Sequence, residues 1–352
     1  MKMLLGEISS YKAIVIATYL KKAYPHIEIF TYDFRKHTRY IRTKFSDKHF
    51  VVENPSINLY LNNLSQLIKV HSIDFFSPVH SDYISEILKH KSLFGQSLSY
   101  LGDYNDYERL HNKDTLIKIA NNIGIRIPQN YRNIEEAKIP FIGKPKIGSS
   151  ANGVFYCFKE EDKGKLITKQ LDNYLFQEYI KGIGCGYSIY AKGGQIQTGY
   201  GHIRLAEYPI SGGSSVYRDT FFKKEMETIV QRILKEVQWT GFAMFEFKLT
   251  PRNEIVLIEV NPRIWGSINQ GLQNGINYFE PILGKSKICD SNKKNIKTYL
   301  SPYIYITLIE YIFKGNFKPL KTFIKNTKYN KADVNIFDDL KGWLSIIIRK
   351  FL

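Results

Sequence analysis

Cysteine is scarce in this sequence: Cys157, Cys185 and Cys289 are the only three in 352 residues. They are odd in number, lie far apart and match no CxxC or Cys/His ligand spacing, which argues against a disulfide framework and a zinc site. Three reduced thiols point to a reducing, cytoplasmic setting. Long apolar runs are missing too: nothing reaches the roughly 18 consecutive apolar residues of a membrane-spanning helix. The opening Met1–Lys12 carries a Glu and a polar run where a secretory signal needs an unbroken apolar region. Acidic residues are the third shortage, 33 Asp and Glu against 50 Lys and Arg, for a net charge of +17. What is present is a core: 43% of residues are hydrophobic, and the length suits about two to three domains.

The N-terminal part alternates β-type runs with helical stretches. Ala13–Ile16 sits inside an amphipathic segment to Ala23, followed by Ile27–Asp33, the helix-like Ile57–His71, and Ile73–Val79. Such alternation predicts a doubly wound α/β module with a parallel sheet. No GxGxxG follows the first strand, so the dinucleotide fingerprint is absent. A helix is predicted from Asn112 to Ile123, closed by Gly124. From 139 to 262 the texture becomes α+β, with β-rich runs and glycine pairs interrupted by a helix over Lys223–Val237. Beyond lie an aromatic-rich run Tyr299–Phe313, a basic connector Lys314–Lys331, and an apolar end containing Trp343, Leu344, Ile346, Ile347 and Ile348. That end reads either as a helix packed on its own domain or as an interfacial helix.

The sharpest chemical signal is a pair of runs, Phe242–Lys248 and Val256–Arg263, separated by the turn composition Thr250–Glu254. A hairpin centred between Arg252 and Asn253 sets Glu246 opposite Glu259. Alternation then puts Glu259, Asn261 and Arg263 on the face of Glu246, with Phe245, Phe247, Ile258 and Val260 pointing into a core. Two carboxylates facing across a ladder repel each other. Hard oxygens with room left for water and phosphate describe a Mg²⁺ site. An ordinary solvent face would carry the same residue types.

Three further segments stand out. Phe141–Phe155 holds Lys144, Gly148, Ser149, Ser150 and Gly153, a small-residue loop able to cradle a phosphate with its N–H groups. It is not a Walker A loop, since Val154 and Phe155 stand where Lys and Ser/Thr are needed. Leu175–Gly182 is an apolar strand end at which Gln177, Glu178, Tyr179 and Ile180 could meet a purine. Gly201–Arg218 places His202 and Arg204 on one face and Ser211–Ser215 in a small-residue loop.

In this order and spacing the pieces resemble the ATP-grasp superfamily, in particular its carboxylate–amine ligases similar to the ATP domains of carbamoyl-phosphate synthetase and biotin carboxylase. The resemblance covers about residues 100 to 270. It implies a pre-ATP-grasp (Rossmann-like) domain over 1–105, and an ATP-grasp domain over 106–285 whose two α+β lobes span about 130–185 and 186–285. A basic helical segment, 286–352, follows. The resemblance further implies that Lys113, Lys144 and the Gly148–Gly153 loop contact ATP phosphates, and that Gln177 to Ile180 form the adenine hinge. Glu246, Glu259 and Asn261 would hold Mg²⁺ or Mn²⁺, while Arg263, with Lys144, would assist phosphoryl transfer. His202, Arg204, Ser214, Ser215 and Arg218 would handle substrate. After the hinge many relatives carry an acidic residue for the ribose, whereas here the stretch is Lys181–Gly186.

The implied activity is ADP-forming amide ligation of a small carboxylate to an amine through an acyl phosphate, in cell-envelope, polysaccharide or peptide-like metabolite synthesis. Two other readings stay open: phosphorylation of a carboxylate or carbamate without amine transfer, and a non-catalytic basic protein docking on membrane or nucleic acid. The dispersed basic residues disfavour nucleic acid. Peripheral membrane contact by the C-terminal segment and a homodimer stay open as well.

Overall fold

The structure, a computed structural model, describes all residues except Ser9, 35–42, Pro55, 80–82, 148–152, 168–170, Ser211, 286–294 and 349–352. It opens with β1 (Lys2–Leu5), α1 (Tyr11–Ala23), β2 (Glu28–Asp33), β3 (Lys48–Val51), α2 (Ile57–His71) and β4 (Phe75–Ser77). The four strands form a parallel sheet in the order β3-β2-β1-β4. The first strand is therefore Lys2–Leu5, and the β-branched run Ala13–Ile16 lies in α1 instead. All four of those residues are buried. A helix enclosed this fully needs apolar residues on every side, which imitates a buried strand in sequence.

Helices α3 (Ile84–Lys89), α4 (Tyr104–His111) and α5 (Lys113–Asn122) lead onward. The start of α5 is fixed by Asn112, whose side-chain oxygen accepts from the N–H groups of Asp114 and Thr115. A four-stranded antiparallel sheet follows, built from β5 (Asn130–Tyr131), β6 (Phe141–Pro145), β7 (Phe155–Cys157) and, after α6 (Glu160–Ile167), β8 (Tyr174–Glu178). Phe141, Cys157 and Phe176 form its small core.

The large sheet starts with β9 (Ile183–Lys192), β10 (Gln195–Tyr208) and β11 (Ser214–Thr220), then α7 (Lys224–Val237), β12 (Gly241–Leu249) and β13 (Ile255–Asn261). Met226, Ile229, Val230, Ile233, Leu234 and Val237 repeat at helical spacing and form the buried stripe of α7. After α8 (Ile268–Gln273) and α9 (Glu280–Leu283) come β14 (Lys297–Tyr299), α10 (Tyr303–Phe313), α11 (Lys318–Lys325), β15 (Asn330–Ala332) and α12 (Leu340–Ile348). The strand order is β13-β12-β9-β10-β11-β14-β15. The segment expected to be helical thus supplies two strands to the large sheet. One core joins the parallel sheet to the large one, through contacts such as Tyr100 against Phe242 and the Tyr190 hydroxyl donating to the Tyr100 carbonyl at 3.1 Å. Cys157 and Cys185 are free and buried; Cys289 lies outside the described residues.

Candidate active site

The register of β12 and β13 pairs Glu246 with Glu259, the pairing expected from the sequence. One residue further the pairing slips, because Phe247 faces Leu257. Ile258 is the extra residue of this β-bulge. It therefore leaves the core expected for it, lines a cavity, and offers its carbonyl to Lys144 Nζ at 3.3 Å. Phe245, Phe247 and Val260 do point into the core.

Strand β9 runs between β10 and β12, and there Gly186 pairs with His202 on one side and Glu246 on the other. A Cβ on Gly186 would stand 2.6 Å from His202 Cε1, and one on Gly184 would stand 2.8 Å from Arg204 Cδ. The glycines after the hinge thus leave a floor without side chains. Arg204 lies over it and reaches Glu246, with Glu207 and the Gly213 carbonyl each 3.3 Å from its Nη1.

The carboxylates are answered by cations. Lys113 Nζ lies 3.9 Å from Glu259, and Lys113 and Lys144 are both buried. Burial alone would raise Glu259, but these two ammonium groups and the Asn261 hydrogen bond hold it below its ordinary value. Burial and the neighbouring Glu259 raise Glu246 despite Arg204. Lys144 is pushed down to about 8, first by burial. Asn261 Nδ2 donates to Glu246 and Glu259, at 3.1 Å each, while its oxygen accepts from Arg263 at 3.0 Å. The amide oxygen, expected on the carboxylate side, is turned to Arg263.

Two cavities meet at this carboxylate pair. The first, about 320 Å³, is lined by Lys113, Lys144 and Gln177 to Ile180, with apolar walls from Ile142, Val154 and Ile258. The second, about 210 Å³, is lined by His202, Ser215, Asn261, Arg263, Ser267 and Lys12. Glu246, Glu259, Arg204 and Ser214 line both. His202, its Nε2 3.3 Å from the Ser267 hydroxyl, is lowered to about 3 by burial and two arginines, so its ring is neutral at physiological pH.

Not every expected residue arrives. Arg218 lines neither cavity; it is fully buried, with Nη2 2.8 Å from Asp333 and 3.0 Å from the Ser215 carbonyl. It shares a sheet face with its cross-strand neighbour Arg204, but the residue just after β15 claims it. Gly148, Ser149 and Ser150 lie outside the described residues, and Gly153 adopts φ +74° in the turn before β7. Reasoning from sequence missed Lys12 and Tyr11, which enter the second cavity from the start of α1; the signal available was a loop at the carboxyl end of a parallel strand.

Residues 110–267 match the ATP-grasp domain family. A curated relative, the D-alanine–D-alanine ligase of Fusobacterium nucleatum, is 26% identical over 173 residues, covering 42% of this chain and 55% of that protein. The chain thus matches about half the length of that relative. Among solved structures, Rhizobium etli pyruvate carboxylase superposes with a TM-score of 0.63 at 12% identity, over 79% of this chain and 28% of that one. The L-amino acid ligase of Bacillus licheniformis gives 0.58 at 13% identity, over 80% and 73%.

Proposed function

From an ATP-grasp domain over residues 110–267, we propose that this protein is an ATP-dependent, ADP-forming carboxylate–amine ligase. The observation that carries the reading is the carboxylate pair Glu246 and Glu259, standing as a common wall between a cavity with two buried lysines and a cavity with Lys12 and Arg263. In this reading the first cavity takes ATP and the second the acid and amine. The N–H groups of Glu178 and Tyr179 are occupied by the Gln129 and Pro140 carbonyls, so adenine would be read by other hinge groups, with Ile142 and Ile258 on its faces.

The donor set fits a hard divalent cation. Two carboxylates from facing strands provide oxygens, and the rest of a coordination sphere is left to phosphate oxygens and water. When bound, Mg²⁺ would neutralise phosphate charge during attack by the substrate carboxylate. The chain's own part is positioning and electrostatics. Lys113 and Lys144 hold the phosphates, and Arg263 steadies the transferring group. Neutral His202 and the Ser214, Ser215 and Ser267 hydroxyls offer hydrogen bonds to substrate. The amine then displaces phosphate from the acyl phosphate to give the amide.

The test is an acid-by-amine matrix read by phosphate and ADP release, with mass spectrometry of products. The expected result is an amide, with turnover about 100-fold lower or worse in Glu259→Gln. A phosphorylated acid with no amine joined would replace ligation by phosphorylation alone. Unchanged turnover in Glu259→Gln would remove the metal assignment.

A further inference from the structure

Helix α10 is apolar nearly all round. Ile304, Thr307 and Leu308 bury one side against Ala206, Val216 and Tyr217. On the other side Tyr305, Ile306, Ile309 and Phe313 are 51%, 39%, 53% and 86% exposed. At 100° per residue these four lie within a single arc of about 100°, and Phe317, 48% exposed, extends the patch into the turn before α11. A helix that is apolar on every side belongs under a cover.

The surroundings say what kind of cover. Helix α11 packs beside α10 with Leu320 and Phe323 turned to the sheet, while Lys318, Lys321 and Lys325 recur at helical spacing on its exposed side. Lys314 and Lys328 add two more exposed cations, and none of these five has an ion partner among the described residues. A second copy of the chain meeting this face about a two-fold axis would bring like charges together. Apolar side chains beside unpaired lysines match the boundary between acyl chains and anionic headgroups.

We propose that the α10–α11 face docks the protein peripherally on an anionic lipid bilayer, with the α10 side chains inserted shallowly and the α11 lysines on the headgroups. No helix among the described residues is long and apolar enough to cross a membrane, so the contact is with the surface. The C-terminal helix, the other place for such a contact, packs one side inward, with Gly342 and Ile346 buried and Trp343 Nε1 donating to Ser301 at 3.1 Å; its other side leaves Leu340, Leu344 and Ile348 exposed, a narrower stripe than that of α10. This inference stands apart from the ligase reading, since none of these residues lines either cavity.

The experiment is co-sedimentation of the full chain with phosphatidylcholine vesicles, with and without about one-third phosphatidylglycerol, alongside light scattering for oligomeric state. Binding is expected only to the anionic vesicles, weakening as salt is raised. Ile309→Glu with Phe313→Glu, and separately Lys318→Glu with Lys321→Glu and Lys325→Glu, should each weaken it about tenfold or more. The lysine set is exposed and guards against misfolding of the apolar variant. Three results would overturn the proposal: no binding by the wild type, binding unaffected by the apolar pair, or a wild-type dimer that the apolar pair dissociates without any lipid affinity.

Discussion

The cations of this chain live in two different worlds. In the interior they are buried and answered: Arg204 by Glu246 and Glu207, Lys113 by Glu259, Arg218 by Asp333. On α11 they are exposed, with no ion partner among the described residues. The same residue types therefore carry different weight. A buried charge is tied to its counter-charge by the cost of leaving either one dry and alone, whereas an exposed lysine is solvated and costs little to remove. Part of the net charge of +17 therefore sits as unmatched exposed lysines on α11, where it is free to attract an external anion.

Breaking the interior pair should have the largest effect. Asp333→Ala strands the Arg218 guanidinium at 0% exposure and should cost about 3–5 kcal/mol, visible as a lower urea midpoint. A midpoint unchanged within error would mean that water reaches the site and that the contrast is false. Next comes Lys144→Met, which keeps the stem but removes the charge; turnover should fall about 100-fold, near 2.7 kcal/mol.

The same lysine predicts a pH signature. With its value near 8 instead of 10.5, the Lys144 charge is lost as pH rises through about 8, so in the proposed ligase kcat/KM should fall there. Stability should move the other way: between about 8 and 10.5 the unfolded chain binds the proton that the folded chain has released, so stability rises with pH. Lys144→Met should lack both trends, as a pH–rate profile and unfolding at matched pH values would show. The smallest effect is expected on the surface, where the Lys318, Lys321 and Lys325 reversals should shift stability by no more than about 0.5 kcal/mol and leave turnover intact. A larger loss would mean that these lysines have counter-charges in solution after all.

Much of this was legible in the residues. The turn composition at Thr250–Glu254 locates the hairpin and the alternation of Phe245, Glu246 and Phe247 its core face, but the pairs beside the turn, Leu249 with Ile255 and Lys248 with Val256, are centred on Arg252, so Glu246 meets Glu259 only through the bulge. The bulge at Ile258 was not legible, since nothing local distinguishes it from its neighbours. The place of Gly184 and Gly186 was not legible either: they lie within a strand where the side chains of Arg204 and His202 need the space. Arg218 was misread for a different reason: its partner lies 115 residues away, and a single sequence carries no local trace of that pairing. The α1 strand error has the same root, because the burial of Ala13–Ile16 depends on what packs around the helix.

The Arg218–Asp333 pair also bears on the order in which the molecule can be assembled. Contacts this distant in sequence form late and slowly, and domains emerge from synthesis N-terminal end first. The first cavity, proposed above for ATP and lined from Lys113 to Glu259, is complete in sequence well before Asp333 has been made. Until then the Ser215 carbonyl lacks its anchored guanidinium. A nascent or shortened chain is thus expected to bind nucleotide before it can hold a substrate firmly, which separates the two capacities in time during biosynthesis.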